Sequence, residues 1–475
     1  MKKLEFSLAL AVAAALSACS LAPAYKAPAT PTTPAYRDVG PWVSAQPNDQ
    51  LPRQDWWHLY GDAELDQLQT QLLANNATLA AAFAHYTQAQ AFSAEARSEL
   101  FPQVGAGASG ERARESDTAP PARNPAAPAD YNAYSVGVQA SYEVDLWGRV
   151  RNTVEAGRDN ALAAQADLAS AQLSLQAQLA DSYMQLRGFD QQIALLQQTI
   201  EAYQKALKLT QTLHAGGIVS GLDVSRAQTQ LSDARSQWSQ TLAQRTLMQD
   251  QIAVLVGANA STFTLPTETA AIPVPVIPLD VPSSLLQRRP DVAAAERRVA
   301  ASNAGIGIAR AAWFPSLTLN AQGGFQSTSW ASLFTAPSRV WSLGPSLAYD
   351  LFDGGYRKAT IVAAKAKTDE AGAQYRGVVL AAFQQVQDNL ALLDHLGTAS
   401  VDQKDASTAA QRALDLSMTQ YKHGAVSYLD VVQAQTVALQ EQRGLLQLDT
   451  QRLQASVQLI RAIGGGWSVD QLARR

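Results

Sequence analysis

The stretch Gly217-Ile218-Val219-Ser220-Gly221-Leu222-Asp223-Val224 recurs 207 residues later as Gly424-Ala425-Val426-Ser427-Tyr428-Leu429-Asp430-Val431. Gly257 and Gly464 stand at the same offset, each after a pair of apolar residues. Two upstream pairs of segments keep nearly the same spacing: Leu100-Phe101-Pro102 with Trp313-Phe314-Pro315, and Asp145-Leu146-Trp147 with Asp350-Leu351-Phe352. Landmarks that recur in one order at a nearly constant offset predict an internal duplication rather than chance similarity of helices.

Each half contains a very long helical segment. Between Arg151 and Ala215 there is no proline, and apolar residues recur every seven positions in two interleaved rows. One of these rows is Leu179, Leu186, Ile193, Ile200 and Leu207. Such heptads are typical of helices packed side by side, and the segments after each repeated stretch continue the spacing. The pattern in each half therefore predicts a helical hairpin. We expect it to turn at Gly217 in the first half and at Gly424 in the second, because glycine adopts left-handed backbone angles without steric strain.

The amino-terminal segment resembles a secretion signal. Lys2 and Lys3 precede a short apolar run that ends at Ser17-Ala18-Cys19, and this run is too short to span a bilayer. Leu16-Ser17-Ala18-Cys19 is similar to a bacterial lipobox, which implies an N-acyl and S-diacylglycerol lipid on Cys19 and delivery to the outer membrane. An ordinary signal with a chance cysteine is the alternative.

Short strand-like segments lie upstream of each hairpin, two in each half. They are about ten residues long and mix small, polar and aromatic positions, as strands of membrane β-barrels do; a soluble β-sandwich hairpin is the alternative. Four strands cannot close a barrel, and two open edges in lipid would leave backbone groups unsatisfied. Three copies give about twelve strands, the smallest closed barrel wide enough for a lumen. We therefore predict an α+β membrane protein, a homotrimer with this β-barrel in outer membrane lipid, continuous with a long α-helical barrel beneath it.

These patterns divide the chain into six segments. In chain order they are a signal peptide (1–18), a lipidated extended segment (19–55), a first repeat (56–262), a Pro-rich linker (263–282), a second repeat (283–464) and a tail (465–475). The first repeat is predicted to hold strands 104–111 and 134–146 and hairpin 149–256, and the second to hold strands 316–326 and 342–352 and hairpin 355–463.

The composition excludes several classes of function. A formal net charge of -4 over 475 residues gives no basic surface for nucleic acid. Five histidines and one cysteine leave little for a metal cage, and no nucleophile stands in a catalytic pattern. We expect no enzyme activity, no catalytic residues, no metal and no cofactor.

Several motifs resemble those of the TolC-type outer membrane efflux factors, in particular their NodT or OprM-like lipoprotein branch. The motifs are Trp56-Trp57 with Gly61-Asp62 and Leu65-Asp66, Ser141-Tyr142-Glu143-Val144-Asp145-Leu146-Trp147-Gly148-Arg149, Arg288-Arg289-Pro290-Asp291-Val292 with Ala295-Glu296, and Ala312-Trp313-Phe314-Pro315-Ser316. The resemblance covers nearly all of the mature chain. It implies a passive conduit for small molecules and drugs in multidrug resistance, docked on a periplasmic adaptor (membrane fusion) protein and a resistance-nodulation-division inner-membrane pump.

The resemblance also implies a site at the two hairpin turns, where the family meets its adaptor and constricts its pore. Glycine followed six residues later by aspartate is matched by Gly217 with Asp223 and by Gly424 with Asp430. Tyr421 matches a further constriction position. Some members carry a basic residue where this chain has Val426, so a salt-bridged latch there is not expected. For both aspartates the alternative is helix capping.

Two other functions compete with efflux. A periplasmic adaptor lipoprotein also has a helical hairpin, but two hairpins with strand pairs disfavour it. The outer membrane conduit of a type I protein secretion system shares the whole architecture and remains the alternative. His214 and His423 lie beside the two turns, where we interpret them as solvated turn residues.

Overall fold

A computed structural model describes residues 20–29, 55–114, 116, 130–277 and 288–466. Cys19, the predicted signal peptide (1–18), the last part of the linker (278–282) and most of the tail lie outside the described residues.

The helices follow the duplication closely. A 3-10 turn at Trp56–Tyr60 precedes α1 (Ala63–Asn75) and α2 (Ala77–Ser98). The first hairpin consists of α3 (Arg149–Ala215) and α4 (Gly221–Leu255); after α5 (Pro290–Ala311), the second hairpin consists of α6 (Tyr356–Lys422) and α7 (Tyr428–Ala462). The outgoing helices each have 67 residues and the returning helices each have 35. This equality confirms the internal repeat in the described structure.

Four strands form one antiparallel sheet in chain order. They are β1 (Gln103–Arg114), β2 (Asp130–Glu143), β3 (Ser316–Ser327) and β4 (Arg339–Ala348). The register is continuous, with Gly107 opposite Gly137 in β1–β2 and Gly137 opposite Gly324 in β2–β3. Within the sheet of this single chain, the outer edges of β1 and β4 are unpaired.

Two predicted strand ends need correction. The sequence predicts strands that end at Leu146 and Phe352, but β2 ends at Glu143 and β4 ends at Ala348. The reason is that Asp145 turns away from the sheet and its carboxylate accepts the backbone N–H of Arg151 at 2.9 Å, at the start of α3. Asp353 accepts the backbone N–H of Arg357 at 3.2 Å in the second half. These residues therefore connect strand to helix.

The described residues form two compact units. The first, drawn from residues 1–29, 86–164 and 295–375, contains the sheet. The second, drawn from residues 30–85, 165–294 and 376–475, contains the turns and return helices of both hairpins. No helix among the described residues is both long and apolar enough to cross a membrane.

The main core lies in the second unit and uses the predicted heptad positions. Leu179 and Leu186 of α3 are completely buried, and so are Val386 and Leu390 of α6. Trp56, also fully buried, packs into the same cluster. The heptad rows therefore face the interior of the helical packing, as the sequence predicts.

Candidate functional site

The two hairpin turns have the same backbone geometry. Gly217 has φ 72° and Gly424 has φ 74°, values in the left-handed region that other residues reach only with strain. Each glycine N–H donates to the carbonyl three residues earlier, His214 at 2.9 Å and Tyr421 at 3.0 Å. The following residue donates to the carbonyl five positions earlier in both turns. This is the Schellman pattern that ends a helix, so both glycines serve to stop the outgoing helix.

Both aspartates stand in the first turn of a returning helix. Asp430 Oδ2 accepts the backbone N–H of Ser427 at 2.9 Å and its hydroxyl at 2.7 Å. Asp223 Oδ2 accepts the Ser220 hydroxyl at 3.2 Å and also pairs with Arg226. Ser427 and Asp430 form a capping box, whereas Asp223 contacts side chains only and stands where the helix N-terminus favours negative charge. The Asp430 side chain is exposed and Asp223 is half-buried, so Asp430 keeps a carboxylate available to solvent within the capped turn.

Tyr421 lies in a small core rather than on the surface. Its side chain is 6% exposed, and its ring centroid lies 5.2 Å from that of Tyr428. Around them pack the other members of this cluster, which come from both hairpins: Tyr203, Leu207, Ala227, Leu231, Ala234 and Val431. We call this set the tip cluster. Val426 packs against it, so an apolar contact occupies the position where some members of the resembled family carry a basic residue.

The ends of the two hairpins meet at the tip cluster, which takes residues from both. Burial, with the neighbouring Tyr421 and Asp223 adding to its effect, raises the pKa of Tyr428 to about 12. Burial also raises the pKa of Tyr421, with Asp223 adding to the effect. Asp223 belongs to the first repeat and both tyrosines to the second. The structure therefore places Asp223 near Tyr421 at the edge of the tip cluster, which their distance in sequence does not reveal.

Tyr428 is a residue of this site that sequence analysis does not assign. The signal is visible in the repeated stretch, since Gly221 occupies the equivalent position in the first half. A large ring in place of glycine marks a position where the two halves pack differently. Tyr203, a heptad residue, completes the contact by donating its hydroxyl to the Gln435 carbonyl at 3.3 Å.

A polar cluster around Asp190 also lies in the second unit. Asp190 is completely buried, and its carboxylate lies 3.0 Å from Arg187 Nη1 and 2.5 Å from Arg245 Nε. It also accepts the backbone N–H of Glu268 at 3.2 Å. Arg187 and Arg245 donate in turn to the carbonyls of Pro266 and Leu265. The cluster thus fastens the linker after α4 to the first hairpin.

Among the described residues, no group of three or more His, Cys, Asp or Glu side chains could hold a metal ion.

Comparison with known proteins places this geometry in context. The sequence matches the family described as Outer membrane efflux protein over residues 68–258 and 281–465. It is 32% identical over 472 residues to the outer membrane protein OprJ of Pseudomonas aeruginosa, covering 98% of this chain and 97% of OprJ. It is 33% identical over 465 residues to the antibiotic efflux pump outer membrane protein ArpC of Pseudomonas putida, covering 97% and 95%. The solved outer-membrane channel OprN is similar in fold, with a TM-score of 0.86 and 29% identity over 94% of this chain and all of that one.

Proposed function

The chain belongs to the outer membrane efflux protein family, and on that premise we propose that it is the outer membrane channel of a tripartite efflux system. The observation that carries this function is the family match, which extends through both halves of the duplication. The protein is a TolC-like channel of the outer membrane that extends into the periplasm, and its family consists of channels rather than enzymes. Relatives named for antibiotic and toluene efflux favour small-molecule efflux over the alternative of protein secretion.

The partners follow from this role. We propose that a periplasmic adaptor meets the hairpin turns and that a resistance-nodulation-division pump delivers the cargo. Ile218 is 72% exposed and Leu222 58% exposed beside the first turn, with Leu429 exposed beside the second. Exposed apolar side chains at a helix turn suit docking to another protein. The first repeat thus contributes the more apolar surface of the two.

The assembly test is native mass analysis in mild detergent, followed by conductance in planar bilayers. We expect three copies of the chain and discrete channel openings, because the four strands leave two unpaired edges that only further copies can satisfy in lipid. Unfolded protein would be recognised by loss of helical circular dichroism. A folded, stable monomer without conductance would contradict the proposed channel.

We propose that three Asp430 carboxylates ring the narrowest point of the pore while they cap α7. Such a ring favours cations, and at a Debye length of about 10 Å in 0.1 M salt the charges still act on one another. Asp430→Asn should lower the cation preference, measured as the reversal potential in a salt gradient. It should leave the trimer yield unchanged, because an asparagine amide oxygen can also accept the Ser427 N–H.

The matched control for this prediction is Ser427→Ala. It removes a hydroxyl that donates to Asp430 but keeps the carboxylate. The reversal potential should therefore equal that of the wild type. If the potential is the same in Asp430→Asn and in the wild type, Asp430 is a helix cap alone.

We propose that Cys19 carries the lipid anchor. Cys19 is the single cysteine of the chain, and the lipobox resemblance supports its acylation. Cys19→Ser should abolish incorporation of labelled palmitate, whereas the trimer should still insert at least partly, because barrel closure satisfies the strand edges. Ser20→Ala, which keeps the cysteine, serves as the control and should label normally. Persistent labelling of Cys19→Ser would place the lipid elsewhere.

A further inference from the structure

An aromatic pair joins the two repeats within one chain. Trp147, just beyond the end of β2, stacks on Phe314, just before the start of β3, with ring centroids 4.5 Å apart and planes at 22°. The Trp147 indole N–H also donates to the Pro315 carbonyl at 2.8 Å. The pair therefore closes the helix-proximal end of the seam between β2 and β3.

The duplication supplies a second copy of each partner, and neither copy has an aromatic partner within the described chain. Phe352 is the repeat equivalent of Trp147, and Phe101 is the equivalent of Phe314. Phe352 is 90% exposed and Phe101 is 61% exposed. They lie beside β4 and β1, the two strands that form the unpaired edges of the sheet.

The observed strand bounds show that this equivalence is structural as well as sequential. β1 begins at Gln103 and β3 at Ser316, an offset of 213 that also relates Phe101 to Phe314. β2 ends at Glu143 and β4 at Ala348, an offset of 205 that also relates Trp147 to Phe352. Along the sequence, β1 is therefore as far from Phe101 as β3 is from Phe314. In the same way, β4 is as far from Phe352 as β2 is from Trp147.

We propose that β4 of one copy pairs with β1 of the next copy in the register of β2 with β3, so that Phe352 stacks on Phe101 of the neighbouring copy. This inference rests on the proposed trimeric channel and adds the residues and the register of the contact between copies. Around the barrel, the β2–β3 contact within each chain then alternates with an equivalent β4–β1 contact between neighbouring copies. Closure in this manner repeats the register of the inner seam with one hydrogen bond fewer, because Pro345, the repeat equivalent of Ala140, has no N–H to donate.

The register can be specified to the residue. In the inner seam Gln139 lies opposite Gln322, and their repeat equivalents are Gly344 in β4 and Ser109 in β1. Val144 donates its N–H to Leu317 at 2.8 Å, which makes that opposed pair a hydrogen-bonded one. Pairs alternate along an antiparallel ladder, so Gln139 and Gln322 form a non-hydrogen-bonded pair, with Cα atoms about 4.5 Å apart.

The predicted contact of Gly344 with Ser109 of the neighbouring copy is of this close type, and cysteines there would reach disulfide distance. A Cβ added at Gly344 meets no atom within 4 Å, so a cysteine fits without disturbing the chain. Wild-type protein, with Cys19 alone, is the background for the experiment.

The test is oxidation of membranes that contain the full-length double variant Ser109→Cys/Gly344→Cys, followed by non-reducing electrophoresis. We expect most of the protein at the size of a covalent trimer. Glu111→Cys/Gly344→Cys, shifted by two residues on the same face, should give at least fivefold less. Gln139→Cys/Gln322→Cys should form a disulfide within one chain and no covalent oligomer, which reports that the sheet has folded.

The outcomes distinguish a wrong register from a wrong assembly. If the shifted pair links better, or if the predicted pair does not link while the intrachain pair does and native mass analysis shows trimers, the register is overturned and the channel stands. If the intrachain pair links but no trimer forms in wild-type protein, the proposed assembly itself fails.

The aromatic contact has its own readout. Phe101→Ala and Phe352→Ala should each lower the temperature at which the trimer dissociates in detergent by several degrees. The double variant should fall little further than either single variant, because the two rings lose the same contact. Additive losses would overturn the stack.

Discussion

Replacing Gly324 by alanine is expected to abolish stable trimer formation. Gly324 lies in β3 opposite Gly137 of β2, and a Cβ there would overlap the Val136 carbonyl oxygen and come within 2.6 Å of the Gly137 Cα. Both are backbone atoms, so the strand cannot make room by moving a side chain. Relief requires the ladder to separate, at a cost of roughly 3 kcal/mol or more. Because the sheet must close across copies, this local opening should prevent insertion.

The neighbouring glycine provides a matched control. A Cβ at Gly323 meets no atom within 4 Å, so Gly323→Ala should form trimers at nearly the wild-type level. The measurement is the amount of detergent-resistant trimer in outer membranes at equal expression. Equal trimer yields for the two variants would show that β2 and β3 are farther apart in the assembled channel than in the single chain.

The sequence predicts the helices better than the strands for a physical reason. Apolar residues repeated every seven positions locate the buried face of α3 between Leu179 and Leu207, and Leu179 and Leu186 are indeed completely buried. Strand ends have no such repetition. Leu146 and Phe352 continue the apolar pattern, but the preceding or following aspartate binds the first turn of a helix and removes them from the sheet.

The candidate site shows a similar division. Glycines at equivalent positions predict the two turns, and both adopt the left-handed geometry. The surroundings of Tyr421 could not be predicted in this manner, since the resemblance gives only its position beside the turn, and the structure adds that its ring packs against Tyr428. Which rings meet depends on how two hairpins separated by about two hundred residues pack together. A spacing pattern within one helix contains no information on that contact.

The polar cluster around Asp190 is the strongest example of such a contact. Val224, Leu231, Trp238 and Ile252 of α4 fall in a row spaced by seven, which Arg245 interrupts. From the sequence alone this arginine is only a charge in an apolar row. Its partner Asp190 lies 55 residues earlier in α3, and only the folded hairpin brings the two together. Arg245 is largely buried at this position because it pairs with Asp190. It also attaches the linker through the Leu265 carbonyl.

Substituting Asp190 by alanine should therefore destabilise the protein severely. The change leaves Arg187, which is 4% exposed, and the largely buried Arg245 without their shared carboxylate, and breaking a buried ion pair in this manner costs about 3–5 kcal/mol. We expect the melting temperature, followed by circular dichroism, to fall by roughly 5 °C or more. Asp233→Ala, which removes an exposed carboxylate from the same hairpin, is the control and should change it little.

A local measurement then separates loss of the cluster from general instability. The Glu268 N–H donates to Asp190, so its exchange rate reports directly on the cluster. Hydrogen exchange below the melting temperature should therefore accelerate at Glu268 in Asp190→Ala more than it does in the α7 segment that ends at Ala462. Since the two arginines also hold the carbonyls of Leu265 and Pro266, protection should be lost along the linker as a unit. Unchanged exchange at Glu268 in a folded Asp190→Ala trimer would mean that the linker is held by its apolar contacts and not by the buried charge.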